Sequence, residues 1–121
     1  MQEYTLGPVE QHFADLIWTH EPIASGELVK LCDKELSWKK STTYTMLRRL
    51  CERGLFCNEE GMVRSLISKQ AFQAKQSEKF VEEVFAGSLP QFLTAFSNNK
   101  RLSDKEVAAL QALIDNQKEG K

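Results

Sequence analysis

Gly54 separates two kinds of hydrophobic pattern, and that boundary constrains the fold more than any other feature of the chain. Before it, apolar residues recur every three or four positions. After it come two short alternating runs. Residues 8–19 (PVEQHFADLIWT) place Val9, Phe13, Leu16 and Ile17 on one helical face. Pro8 suits a first helical turn, and His20-Glu21-Pro22 ends the segment because a residue before proline disfavours the helical region. Residues 25–36 form a second helical period, with Leu28, Leu31, Cys32 and Leu36 as its buried stripe. Ser25 is its expected N-cap, and Glu27 lies in the first turn, where the helix dipole favours an acid. Residues 40–53 form a third, with Thr43, Leu47 and Leu50 inward and Met46 beside them. Gly54 falls at the position where a left-handed residue stops a helix. Residues 55–59 and 63–68, divided by a turn containing Gly61, then read as a hairpin.

Beyond residue 70 the pattern is purely helical. Residues 72–86 carry Phe80, Val81, Val84 and Phe85 on one side. After Gly87, Ser88 is positioned to cap a helix with Pro90 in its first turn, bearing Leu89, Phe92, Leu93 and Phe96. The polar joint 97–101 follows. Ser103 and Glu106 have capping-box spacing ahead of a last helix whose inner face is Val107, Leu110, Leu113 and Ile114. The expected architecture is mainly α: an N-terminal winged helix-turn-helix over 1–70 and three C-terminal helices over 71–121. About fifty residues is close to the lower limit for an independent core, so the apolar residues of the second part cannot all be covered internally. A homodimer is the expected solution, with Phe80, Val84, Phe85, Leu89, Phe92, Leu93, Phe96, Leu110, Leu113 and Ile114 at its interface.

The net charge of −1 points to no particular partner, but its distribution does. Residues 1–37 hold two Lys against seven Asp/Glu. Residues 38–54 hold Lys39, Lys40, Arg48, Arg49 and Arg53 against Glu52 alone. The local field governs which anions are attracted. In a helix-turn-helix the second helix crosses the DNA backbone and the next enters the major groove. That third helix shows Ser41, Thr42, Tyr44, Thr45 and Arg48 outward, with Lys39 and Lys40 at its entrance. Its N-terminus aims free N–H groups at phosphate. Arg and Lys reach phosphates or guanine edges, and Ser and Thr bond to either kind of group. Arg49 and Arg53 can equally pair with an acid or cover apolar surface with their stems.

Other function classes find little support. Cys32, Cys51 and Cys57 are odd in number and lack C-x-x-C spacing, which argues against a disulfide framework or a zinc site and for free thiols in a reducing cytosol. His12 and His20 stand apart from any matching ligand cluster, so no metal or cofactor is expected. Trp18 and Trp38 read as packing residues. No nucleophile–base pair or phosphate loop is present, so an enzyme is not expected. No run has the length of a membrane span and no signal peptide is evident, which points to a cytoplasmic protein. A winged-helix protein-interaction module remains the alternative to a DNA-binding repressor.

The chain also resembles the penicillinase-repressor family, which includes the methicillin-resistance and copper-transport repressors. The resemblance lies in LGPVEQHFADLIWTHEPIASGELVKLC, WKKSTTYTMLRRLCERGLF, KFVEEVFAGSLPQFLTAF and LSDKEVAALQALI, which together span almost the whole chain. Trp38, Thr42, Thr45, Leu47, Arg49, Leu50, Arg53 and Gly54 match the family's W-x-x-x-T-x-x-T-x-L-x-R-L-x-x-K/R-G signature; Gly87, Ser88 and Leu89 match its G-S-L element. The resemblance implies a homodimeric bacterial repressor that binds pseudopalindromic operators of TACA/TGTA type. It implies DNA contacts from Lys40, Ser41, Thr42 and Thr45, dimer contacts from Phe80, Val84, Leu89, Phe92, Leu93 and Phe96, and a membrane metalloprotease sensor as the inactivating partner. Three departures stand out. Lys39 replaces the usual Ser before the recognition helix. The wing, EEGMVRSLIS, lacks the family's G-R-x-Y/F-x-Y pattern and leaves Arg64 as its one candidate for phosphate contact. Ala95-Phe96 stands where penicillinase repressors have the cleaved Asn-Phe pair. The C-x-C pairs of copper-sensing members are also missing from this sequence.

Overall fold

The computed structural model describes residues 5–119, which form six helices and three strands. Their order is α1 (Pro8–His20), β1 (Ile23–Ala24), α2 (Ser25–Leu36), α3 (Lys40–Glu52), β2 (Phe56–Glu59), β3 (Met62–Ser65), α4 (Lys69–Phe85), α5 (Leu89–Asn99) and α6 (Asp104–Glu119). They gather into two units, one ending at Lys79 and the other starting at Phe80. The boundary falls inside α4, nine residues beyond the point at which the pattern turns purely helical.

The first unit is built on the three helical stripes. Phe13, Ala14 and Ile17 of α1, Leu28 and Cys32 of α2, and Leu47 and Leu50 of α3 are all buried. Leu55, Phe56, Val63 and Phe72 complete the core. Each large side chain buried there contributes about 1.5–3 kcal/mol relative to exposure. Trp18 and Trp38 are packing residues, as expected. Trp18 lies 5.3 Å from Phe56 and 5.5 Å from Phe72, and its indole N–H donates to the Ile67 carbonyl at 3.0 Å. Trp38 lies 5.1 Å from Phe13. Gly54 has φ +82° just past Arg53, the C-cap of α3, and so ends the helix as its position predicts.

The sheet differs from the expected hairpin in its bounds and its strand count: the hairpin strands are Phe56–Glu59 and Met62–Ser65 rather than 55–59 and 63–68, and a third strand joins them. β3 is the central strand, paired antiparallel with β2 and also with β1, which runs Ile23↔Val63 and Ala24↔Met62. Two residues are too few for an alternating pattern, so β1 leaves no periodic trace in the sequence. Glu60 and Gly61 form the two-residue hairpin loop with φ of +53° and +84°, the conformation that matches the twist of the flanking strands. Ser25 does not cap α2: Ala24 does, and Ser25 is the first helical residue. Its N–H donates to the Gly61 carbonyl at 2.7 Å, so the hairpin turn satisfies one of the helix's otherwise unpartnered first N–H groups.

In the second unit the caps follow the sequence closely. Ser88 Oγ accepts from the Gln91 N–H at 3.2 Å. Ser103 and Glu106 close a reciprocal capping box: Ser103 N–H donates to Glu106 Oε1 at 2.9 Å, and Glu106 N–H to Ser103 Oγ at 3.0 Å. That bonding holds the Glu106 carboxyl below its usual pKa. Phe80, Phe85 and Phe92 meet in a cluster with ring centroids 5.6–6.0 Å apart, and Phe96 lies 6.4 Å from Phe92. α5 runs to Asn99, through most of the joint expected at 97–101, and α4 starts three residues earlier than expected. No helix among the described residues is long and apolar enough to cross a membrane.

Candidate nucleic-acid interface

α3 buries Thr43, Leu47 and Leu50, spaced four and three residues apart, along one side. The opposite side therefore consists of Ser41, Thr42, Thr45, Arg48 and Arg49, with Glu52 at its C-terminal end, all exposed, and Lys39 and Lys40 exposed at the entrance. This is the expected basic and hydroxyl-bearing face. Lys39 is the N-cap, yet its side chain caps nothing. The first turn of α3 contains no acid. Lys39 contributes through its backbone, its carbonyl accepting from Thr43 N–H at 3.0 Å and Thr43 Oγ1 at 3.3 Å. The positive end of the helix dipole and four cationic side chains thus share one surface.

Three of the expected basic or polar residues have other engagements. Tyr44 is half-buried against the core, and its hydroxyl donates to Ser25 Oγ at 3.0 Å. It ties α3 to α2, a role its spacing did not disclose. Arg53 turns back toward the start of α1: its guanidinium donates to the Thr5 carbonyl at 2.8 Å and lies 3.9 Å from Glu10. On the wing, Arg64 donates to Glu59 Oε1 at 2.6 Å, a contact that raises the guanidinium pKa further. Beside α3, Tyr44, Leu47, Arg48, Cys51 and Asn58 line an open cleft of about 270 Å³. Asn58, at the β2 edge of that cleft, is a polar neighbour of Arg48 that sequence patterning missed, because it lies on a strand rather than on the basic helix.

The expected interface residues of the second unit divide into two groups. Phe80, Val84, Leu89, Phe96, Leu113 and Ile114 are exposed, as is Val107. Phe85, Phe92, Leu93 and Leu110 are half-buried within their own unit. Phe92, Leu93, Phe96, Leu102, Glu106, Ala109 and Leu110 line an almost wholly apolar groove of about 330 Å³.

Three helices, a three-stranded sheet with a hairpin wing, and a basic third helix place the first unit among winged helix-turn-helix regulators. The penicillinase repressor family model matches residues 6–116, and the chain belongs to that family; it is a transcriptional repressor. It is similar to the penicillinase repressor of Bacillus licheniformis, with 28% identity over 120 residues that cover 96% of this chain and 94% of that protein.

Proposed function

We propose that this chain represses transcription in the cytoplasm as a homodimer, by occupying a pseudopalindromic double-stranded DNA operator with α3 of each protomer in the major groove. The observation that carries this reading is the two-sided character of α3. Thr43, Leu47 and Leu50 are buried behind it, and Ser41, Thr42, Thr45 and Arg48 stand exposed in front at an acid-free helix N-terminus. Lys39, Lys40 and Arg49 supply phosphate contacts that release counterions and set register. The hydroxyls and Arg48 read base edges. The exposed apolar side chains of α4, α5 and α6 support pairing of two copies, which spaces the recognition helices about 34–36 Å apart or a multiple of that. The protein acts by occupancy, as a regulator rather than a catalyst.

The test compares Thr45→Ala with the unaltered protein on its operator and on scrambled DNA in mobility-shift titrations. Loss of about 1–3 kcal/mol on the operator with scrambled binding unchanged is the expected result. Equal losses on both would remove Thr45 from base readout.

A further inference from the structure

The wing carries the opposite charge from the helix beside it. Glu59 and Glu60 are neighbours at its tip, and both are exposed. Arg64 is the one basic residue of the hairpin between Phe56 and Ser65, and Glu59 already holds it at 2.6 Å, so the hairpin has a net charge of −1. It packs against α3 through the shared core, and Ser25 links its turn to that helix as well. Ser25 N–H donates to the carbonyl of Gly61 at 2.7 Å, and Ser25 Oγ accepts from Tyr44 at 3.0 Å. On α3, Tyr44 is followed directly by Thr45 and one turn later by Arg48. The acidic turn is therefore joined through Ser25 to Tyr44, the neighbour of Thr45 on the DNA-reading helix.

We propose that Glu59 and Glu60 form an electrostatic guard that holds down sequence-independent DNA binding. The proposal rests on the reading of α3 as the DNA-binding helix. Binding to random DNA is almost wholly phosphate electrostatics, so a fixed negative charge within a Debye length, about 8–10 Å, weakens it directly. The guard opposes the cations of α3 where it costs least in structure: the tip is exposed, and the turn conformation is set by the backbone of residues 60 and 61.

The test measures binding of the intact protein to a short scrambled duplex by fluorescence anisotropy between about 50 and 200 mM salt. Glu60→Gln, Glu60→Lys and Glu59→Gln are compared with the unaltered chain. Gln and Lys occupy the same left-handed position as Glu60 with the same backbone strain, and equal melting temperatures would verify that the fold is kept. Glu60→Gln is expected to tighten binding about two- to five-fold. Glu60→Lys is expected to tighten it further and to steepen the dependence of log affinity on log salt by about 0.9, the value for one added phosphate contact. Glu59→Gln, which also releases Arg64, is expected to tighten it at least as much as Glu60→Gln. Affinities and salt slopes equal to those of the unaltered protein in all three variants would overturn the proposal. Absence of binding by every protein at the lowest salt would overturn it together with the DNA-binding reading, which separates the two failures.

Discussion

The Tyr44 hydroxyl donates to Ser25 Oγ at 3.0 Å, joining α3 to the first residue of α2 across nineteen positions of sequence. The bond lies between the helix that carries the basic face and the helix packed against it, and it adds to the rotation already set by the buried Thr43, Leu47 and Leu50. Tyr44→Phe keeps the ring in the half-buried site but removes the donor. The expected loss is about 0.5–1.5 kcal/mol of stability, measured by urea unfolding. Ser25→Ala in the Tyr44→Phe background should add little, because the two changes remove one interaction. Full additivity would show that the hydroxyls act independently.

This bond also shows where sequence patterning stopped. Helical periodicity placed α1, α2 and α3, the buried Phe13, Ile17, Leu28, Cys32, Thr43, Leu47 and Leu50 and the Gly54 stop, because those features depend on neighbours three or four residues away. Ser88 and Ser103 were legible as caps for the same reason. Val9, expected on the buried face of α1, is exposed in its first turn, and Leu16, Leu31 and Leu36 are only half-buried. Tyr44 was read as groove-facing because periodicity does not reveal a partner nineteen residues distant. Ser25 looks like a cap in sequence because the real partner of its N–H, the Gly61 carbonyl, lies far along the chain in the hairpin turn. The exposed face of α3 was legible down to Ser41, Thr42, Thr45 and Arg48. The capture of Arg64 by Glu59 was not, because register in the hairpin decides it.

Arg48 tests whether that exposed face reads bases or only phosphates. A guanidinium can bond bidentately to guanine, and a lysine ammonium at the same place acts as a point charge. Arg48→Lys should therefore bind scrambled DNA much as the unaltered protein does and lose about 1–3 kcal/mol on the operator. Full retention of operator affinity in a mobility-shift titration would assign Arg48 to the phosphate backbone.

Cys32 makes stability sensitive to alkali. Burial among the core residues pushes its thiol from 9.0 up to about 11, against a smaller opposing effect of the hydrogen bond with Thr43. The folded chain thus holds this proton more tightly than the unfolded chain does. The stabilisation is complete below about pH 9 and declines as pH rises toward 11, because the unfolded thiol ionises first. Urea midpoints at a series of pH values across that window should fall less steeply for Cys32→Ala than for the unaltered protein. Cys51, also shifted upward by burial, is common to both and cancels in the comparison. Parallel curves would show that Cys32 does not titrate with unfolding.

The proposed dimer is best tested away from the aromatic cluster. Phe92 is half-buried between Phe80, Phe85 and Phe96, so Phe92→Asp would damage the second unit itself and leave the cause of any dissociation ambiguous. Val84 and Leu113 are 57% and 55% exposed and can be changed with little effect on a single chain. An aspartate at either place puts an unpaired charge into any apolar interface that covers it, which is strongly unfavourable. Val84→Asp and Leu113→Asp should each shift the protein from dimer to monomer in sedimentation at micromolar concentration, with helical content unchanged by circular dichroism. Operator affinity should fall as well, because two linked recognition helices engage the second half-site at high effective concentration and separate ones do not. Dimers that persist in both variants would move the interface off these faces of α4 and α6.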